Sequence, residues 1–211
     1  MNGRRLRLLW VAGPIALVVL LALVPPVRRG ALRATAGLLI VSDPIEAADV
    51  GVMTESGQAV ELEMSDLYLQ HVVPRVLVLA PAQDAVAREL ARRGVHREDL
   101  MVTTLVQLGV PATAITTVEA GEGGTTESTR ALAAWALTHP SRILIVVDPT
   151  HARRYRRTLM RAWPAGVQPP RVTYPRANLF RAEDWWVSRR TRRDGIVELA
   201  RLAWDYLWHP W

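Results

Sequence analysis

The chain contains no cysteine, which excludes disulfide staples, thiolate zinc sites, iron–sulfur clusters and cysteine nucleophiles together. It contains no lysine either. All 26 basic residues are arginine, so Schiff-base chemistry and a phosphate-loop lysine are excluded as well. Repeats and low-complexity stretches are absent, and only 22% of residues are charged against 50% hydrophobic, a balance too apolar for a disordered chain. The 211 residues suit one compact domain with an appendage. Acids are missing from residues 1–33, which carry six arginines, whereas residues 34–150 hold fifteen acids against seven arginines. Residues 151–211 reverse this, with thirteen arginines against five acids. A protein that coats nucleic acid would spread positive charge over its folded part, and here most of that part is acidic, so no nucleic-acid partner is expected.

Residues 8–24 form an uninterrupted apolar run, preceded by Arg4, Arg5 and Arg7 and followed by Pro25, Pro26, Arg28 and Arg29. As a helix, at about 1.5 Å per residue, such a run covers about 26 Å, just enough to cross a bilayer. The alternative is a cleaved signal peptide. Its apolar stretch would be shorter and end in small residues, and no such site stands at Val24. Ala34, Thr35 and Ala36 have suitable sizes but lie behind two prolines and three arginines. The reading is an uncleaved single-pass anchor over residues 1–30, with arginines balanced on its two sides.

Beyond the anchor, short apolar or β-branched runs at 38–41, 50–53, 76–79, 115–118, 143–147 and 172–174 alternate with helical patterns near 59–70, 84–93, 98–108, 126–138, 151–162 and 194–208. That alternation predicts a Rossmann-like α/β three-layer sandwich with a mainly parallel sheet, as one domain over residues 37–211. The run at 143–147, Ile-Leu-Ile-Val-Val, is apolar on both faces, as a doubly covered strand must be. Asp84 and Asp99 fall near helix starts, and Gly94 and Gly109 just past helix ends.

In such sheets ligands bind at the carboxyl ends of the strands, where helix N-termini aim amides at anions. Two ends carry suitable residues. After Val118 come Glu119, three glycines, Thr125, Thr126 and Glu127, leading into a helix. Glycines let backbone approach a ligand, though Thr followed by Glu is equally the chemistry of an ordinary helix start. After Val147 come Asp148, His151 and Arg154, the last two on one side of a helical turn. A carboxylate, an imidazole and a guanidinium at one strand terminus suit an anionic ester or acid–base work. Arg153, Arg156 and Arg157 read as a solvated helix face or a contact to acidic lipid. His71, His96, His139 and His209 lack metal-ligand spacing, and Glu61 and Glu63, two apart, point away from each other on a helix. No metal is expected, and no cofactor is named. Trp204 and Trp208 fall on one helix face, either as core packing or as a membrane or partner contact.

The order VSDPIEAADVGVM after a transmembrane helix, GVPATAITTVE, GTTES, ILIVVDPTHARR and a terminal helix bearing Glu198 resembles the YdcF, SanA and ElyC group of bacterial envelope proteins, over residues 37–207. Asp43, Pro44 and Asp49 match the approach to that family's first core strand, and Gly109, Val110 and Pro111 its turn before the acidic strand end. Its Asn-Thr-x-Glu-Asn motif stands here as Gly124, Thr125, Thr126, Glu127 and Ser128, and its His-x-x-Arg motif as His151 and Arg154. The chain departs from the pattern where Thr54, Glu55, Ser56 and Gly57 replace a glycine-rich loop and Ala80, Pro81 and Ala82 replace Ser-Gly-Gly. An arginine expected after the first of these loops has no counterpart between Arg33 and Arg75.

The resemblance implies a bacterial cytoplasmic-membrane protein with its soluble domain outside the cytoplasm, linked to envelope integrity and to cell-wall or lipid-linked sugar metabolism. It also implies S-adenosylmethionine as a ligand of some relatives. Two functional expectations follow. One is a hydrolase or transferase acting on a phosphorylated or lipid-linked intermediate, with Glu119 or Glu127 as base, His151 as its acid or base partner, Arg154 as anion clamp, and Thr125, Thr126 and Asp148 as ligand contacts. The other is a non-catalytic module holding a nucleotide-like ligand or a membrane partner in the same pocket.

Overall fold

The computed structural model describes residues 23–54, 57–80, 85–94, 97–121 and 124–209. The anchor expected at residues 8–24 lies almost wholly outside them, as do Glu55, Ser56, Asp84 and His96. Among the described residues no helix is long and apolar enough to cross a membrane.

The chain begins with helix α1 (Pro25–Leu39), started by prolines at its first positions, where a missing amide costs no hydrogen bond. The run at 38–41, expected as a strand, is instead the end of this helix followed by extended chain. Leu32, Ala36 and Leu39 recur at helical spacing and pack on one side, so tertiary contact decides a run too short to show its own period. Five strands follow: β1 (Val50–Met53), β2 (Val76–Ala80), β3 (Ile115–Glu119), β4 (Ile143–Val146) and β5 (Arg171–Thr173). Between them lie α2 (Gln58–Leu69), α3 (Ala85–Arg92), α4 (Arg97–Gln107), α5 (Thr125–Thr138) and α6 (Ala152–Ala162), and α7 (Arg189–Trp208) closes the fold. Gly94 and Gly109 take left-handed backbone just past α3 and α4, with φ of 81° and 97°, as helix ends require.

All five strands are parallel in the order β3-β2-β1-β4-β5, so the sheet is α/β and doubly wound. Val52 pairs with Leu77 on one side and Ile145 on the other. Side chains alternate between the faces. Val52, Leu79 and Ile145 pack against Leu132 of α5 and Leu159 of α6, while Met53, Val78 and Leu144 meet Met64 and Leu67 of α2 and Leu105 of α4. Strand β4 is buried on both faces, as its composition requires; β1 occupies the centre beside it. A smaller third cluster joins Ala36 and Leu39 of α1 to Phe180, Trp185 and Leu202.

Asp43 and Asp49 are ties between elements. Asp43 accepts from the amide of Val172 at 2.9 Å and from Arg156 Nη1 at 2.8 Å. Asp49 accepts from the amide of Arg142 at 2.7 Å and from its Nη2 at 2.9 Å, and these bonds hold its carboxyl down at about 2. They fix the starts of β1, β4 and β5 in register, so that the opposite ends of the strands are presented together.

Candidate functional site

The order of the strands reverses between β1 and β4, and beyond their carboxyl ends the helices diverge. A cleft of about 1070 Å³ opens there. Its floor comes from Asp148, Thr150 and His151 in the turn from β4 to α6, and from Gly57, Gln58 and Ala59 at the start of α2. Asn178, Leu179 and Phe180 form one wall, and Arg190, Arg193, Val197, Glu198 and Arg201 of α7 form the other.

Glu198 organises the floor. Position 198 lies on the inward stripe of α7 with Thr191, Gly195, Leu202 and Asp205, which buries its carboxylate until its side chain is 2% exposed. Three side chains converge on it. His151 Nε2 stands 3.2 Å from Oε1, Arg154 donates from Nε to Oε2 at 2.9 Å and from Nη2 to Oε1 at 3.2 Å, and Arg201 Nη1 donates to Oε1 at 2.6 Å. Burial is the largest single influence and acts to raise the pKa, but hydrogen bonds from His151, Arg154 and Arg201 together outweigh it, leaving the carboxyl at about 2. Glu198 is therefore ionised whenever the protein is folded near neutral pH.

His151 is the residue that caps α6, with its side chain 25% exposed in the cleft. A titratable imidazole held by a buried carboxylate is the arrangement that fixes a proton-transfer group in one orientation. Beside it, Asp148 accepts from the amide of Thr150 at 2.9 Å and from the Thr150 hydroxyl at 2.6 Å, which sets the turn and keeps the carboxylate at the cleft floor. The first turn of α2 adds amide donors that no side chain caps, since Gly57 precedes it. Arg190 lines the cleft with no hydrogen bond or ion pair to the described residues, whereas Arg193 is held by Asp194 at 3.1 Å. The site thus offers an oriented imidazole, a carboxylate, helix-end amides and one unpaired guanidinium, a set suited to an anionic group undergoing or resisting proton transfer.

The residues singled out in the sequence divide into three groups. Asp148 and His151 line the cleft. Arg154 and Thr125 stand behind it: the Arg154 guanidinium holds Glu198 and donates from Nη1 to Thr125 Oγ1 at 2.9 Å, so it positions the carboxylate from outside the cleft lining. Glu119, Glu127 and Thr126 lie elsewhere. Glu119 ends the edge strand β3 and is exposed, Glu127 pairs with Arg130 at 2.8 Å, and Thr126 is exposed on α5 with its carbonyl accepting from Thr129. Glu61 and Glu63 are both buried on α2, Glu63 paired to Arg176 and Glu61 raised above the ordinary carboxylate range by burial. Among the described residues no three His, Asp or Glu side chains gather as a metal site.

Sequence reasoning gave Glu198 no role and passed over Arg190. Glu198 lies forty-four residues beyond Arg154, and only the packing of α7 brings them together. Fold and site define the class: a doubly wound α/β/α protein with a mixed-charge cleft at its switch point. Compared with known proteins, the chain matches no family model, no curated protein and no solved structure.

Proposed function

We propose that this chain is a membrane-anchored envelope protein of the YdcF, SanA and ElyC kind. In this reading, residues 8–24 cross the membrane once, the α/β domain stands outside the cytoplasm, and the cleft takes a phosphorylated or lipid-linked anionic intermediate. The unbroken apolar run between arginines supports the anchor, and the His151-x-x-Arg154 motif together with Glu198 supports the kinship. The observation that carries the enzymatic reading is His151 held by a buried carboxylate inside the cleft. His151 would move the proton, Asp148 would orient or activate the attacking group, and Arg190 with the α2 amides would bind the anion. Neither Glu119 nor Glu127 lines the cleft, whereas Asp148 does, and with Glu198 taken up by its guanidinium partners Asp148 is the carboxylate this reading makes the base.

The test is a thermal-shift series on the full chain with polyprenyl phosphate, nucleoside phosphates and S-adenosylmethionine, followed by an assay for phosphate release from whichever stabilises it. Binding with turnover that His151→Ala abolishes, at unchanged affinity, is the expected result. Turnover that survives His151→Ala removes the enzymatic reading. A second reading, a non-catalytic binding module, draws on the way Arg154 and Arg201 are already neutralised by Glu198. It predicts binding without turnover from the same series.

A further inference from the structure

Helix α7 buries a mixed stripe against the rest of the fold and leaves an apolar face exposed. At 100° per residue, Thr191, Gly195, Glu198, Leu202 and Asp205 share the buried stripe. Ile196, Ala200, Ala203 and Leu207 recur at the same spacing on the opposite side, flanked by Trp204 and Trp208. These side chains are open to solvent: Ile196 is 55% exposed, Trp204 62%, Leu207 76% and Trp208 61%. The two indoles lie 5.1 Å apart, as one aromatic patch. One turn before this stripe the same outer side carries Arg189 and Arg192, while Glu198 and Asp205 face inward and are matched by arginines there, and Asp194 is paired to Arg193 at the cleft.

We propose that the outer face of α7 rests in the headgroup region of a bilayer containing anionic phospholipid. Charge decides between the candidate occupants. A second copy would set this arginine-rich face against another like it, whereas acidic headgroups are complementary to it. Exposed tryptophans beside leucine and isoleucine, with arginines whose stems can lie along the surface, are the composition of a helix that lies in the interface. Reach is adequate. Trp185, three residues before the Ser188 cap of α7, donates its indole N–H to the carbonyl of Leu32 at 2.8 Å, and Leu32 lies eight residues beyond Val24, about 12 Å along a helix.

The experiment reconstitutes the full chain into phosphatidylcholine vesicles with brominated acyl chains, with and without phosphatidylglycerol. It compares the wild type with the double variant Trp204→Phe/Trp208→Phe, whose substitutions fall at exposed positions and leave the core intact. The difference fluorescence isolates those two indoles, and it is expected to be quenched at least twofold in the phosphatidylglycerol vesicles and to recover in high salt. Difference fluorescence that is unquenched in both vesicles and open to acrylamide overturns the proposal. So does difference fluorescence protected in a cross-linked dimer, which assigns the face to a second copy. Insertion of the anchor is read separately, by resistance of the double variant to extraction from the vesicles with alkaline carbonate, so loss of the anchor and loss of this contact give different results.

Discussion

At the scale of single residues the site depends on one buried charge. Glu198→Gln removes the counter-charge of Arg154 and Arg201 and the carboxylate that holds His151 at once, and leaving two guanidiniums facing a neutral amide is expected to cost about 3 kcal/mol at neutral pH. The pH dependence has a definite sign. An exposed glutamate titrates at 4.5 and this one at about 2, so its stabilisation is complete above about 4.5 and is lost as pH falls towards 2. Over that window the wild type should lose about 3 kcal/mol that Glu198→Gln does not. Urea unfolding at a series of pH values reads the difference, and parallel curves for the two proteins would refute it. Arg190 is the opposite case. With no partner among the described residues to strand, Arg190→Ala should change stability by less than about 0.5 kcal/mol while weakening an anionic ligand about tenfold, measured by calorimetric titration. The contrast explains what was legible. Asp148, His151 and Arg154 advertise themselves through adjacency in one turn, whereas a glutamate among arginines on a distant helix has no local mark.

The elements were legible wherever composition and period agree. β1 to β5 arise from the apolar runs at 50–53, 76–79, 115–118, 143–147 and 172–174, and five of the helices, α2 to α6, begin and end close to their periodic patterns. Helix α7 was the exception in extent. It starts at Arg189, ahead of the pattern beginning near 194, because its first turn is solvated arginine with no apolar rhythm. Its signal was Ser188, whose side chain accepts from the amide of Thr191 at 3.2 Å. How α7 docks could not be read at all, since that rests on Gly195. A Cβ there would stand 2.8 Å from Trp185 and 2.9 Å from Phe180. Helix propensity alone would make Gly195→Ala stabilising by about 1 kcal/mol. The aromatic wall reverses the sign, and a net loss of about 1–2 kcal/mol is expected, as a melting temperature lowered by about 2–4 °C for each kcal/mol. A rise in melting temperature would mean that α7 can lift off Trp185 without penalty.

At the scale of the whole molecule, the boundary between appendage and domain falls inside a helix. Reading the domain from residue 37 follows the first apolar run beyond residues 8–24, at 38–41, yet α1 runs unbroken across that point. Leu32 and Ala36, before the boundary, pack with Leu39 against Phe180, Trp185 and Leu202, and the carbonyl of Leu32 is the acceptor for the Trp185 indole. A chain starting at Gly37 would leave that buried N–H without its partner and strip apolar cover from the cluster beneath α7. The unmade hydrogen bond alone costs about 1–3 kcal/mol, and the uncovered leucine adds to it. A chain starting at Leu23 keeps all of these contacts. The shorter chain should therefore unfold at least about 2 kcal/mol more easily in urea than the longer one, with its loss concentrated in α7 by hydrogen exchange. Since Glu198 rides on α7, the same truncation should loosen the hold on His151 and weaken ligand binding in the cleft. Equal stability of the two chains would show that α1 merely lies against the domain, and that the geometry of the site is independent of the segment before residue 37.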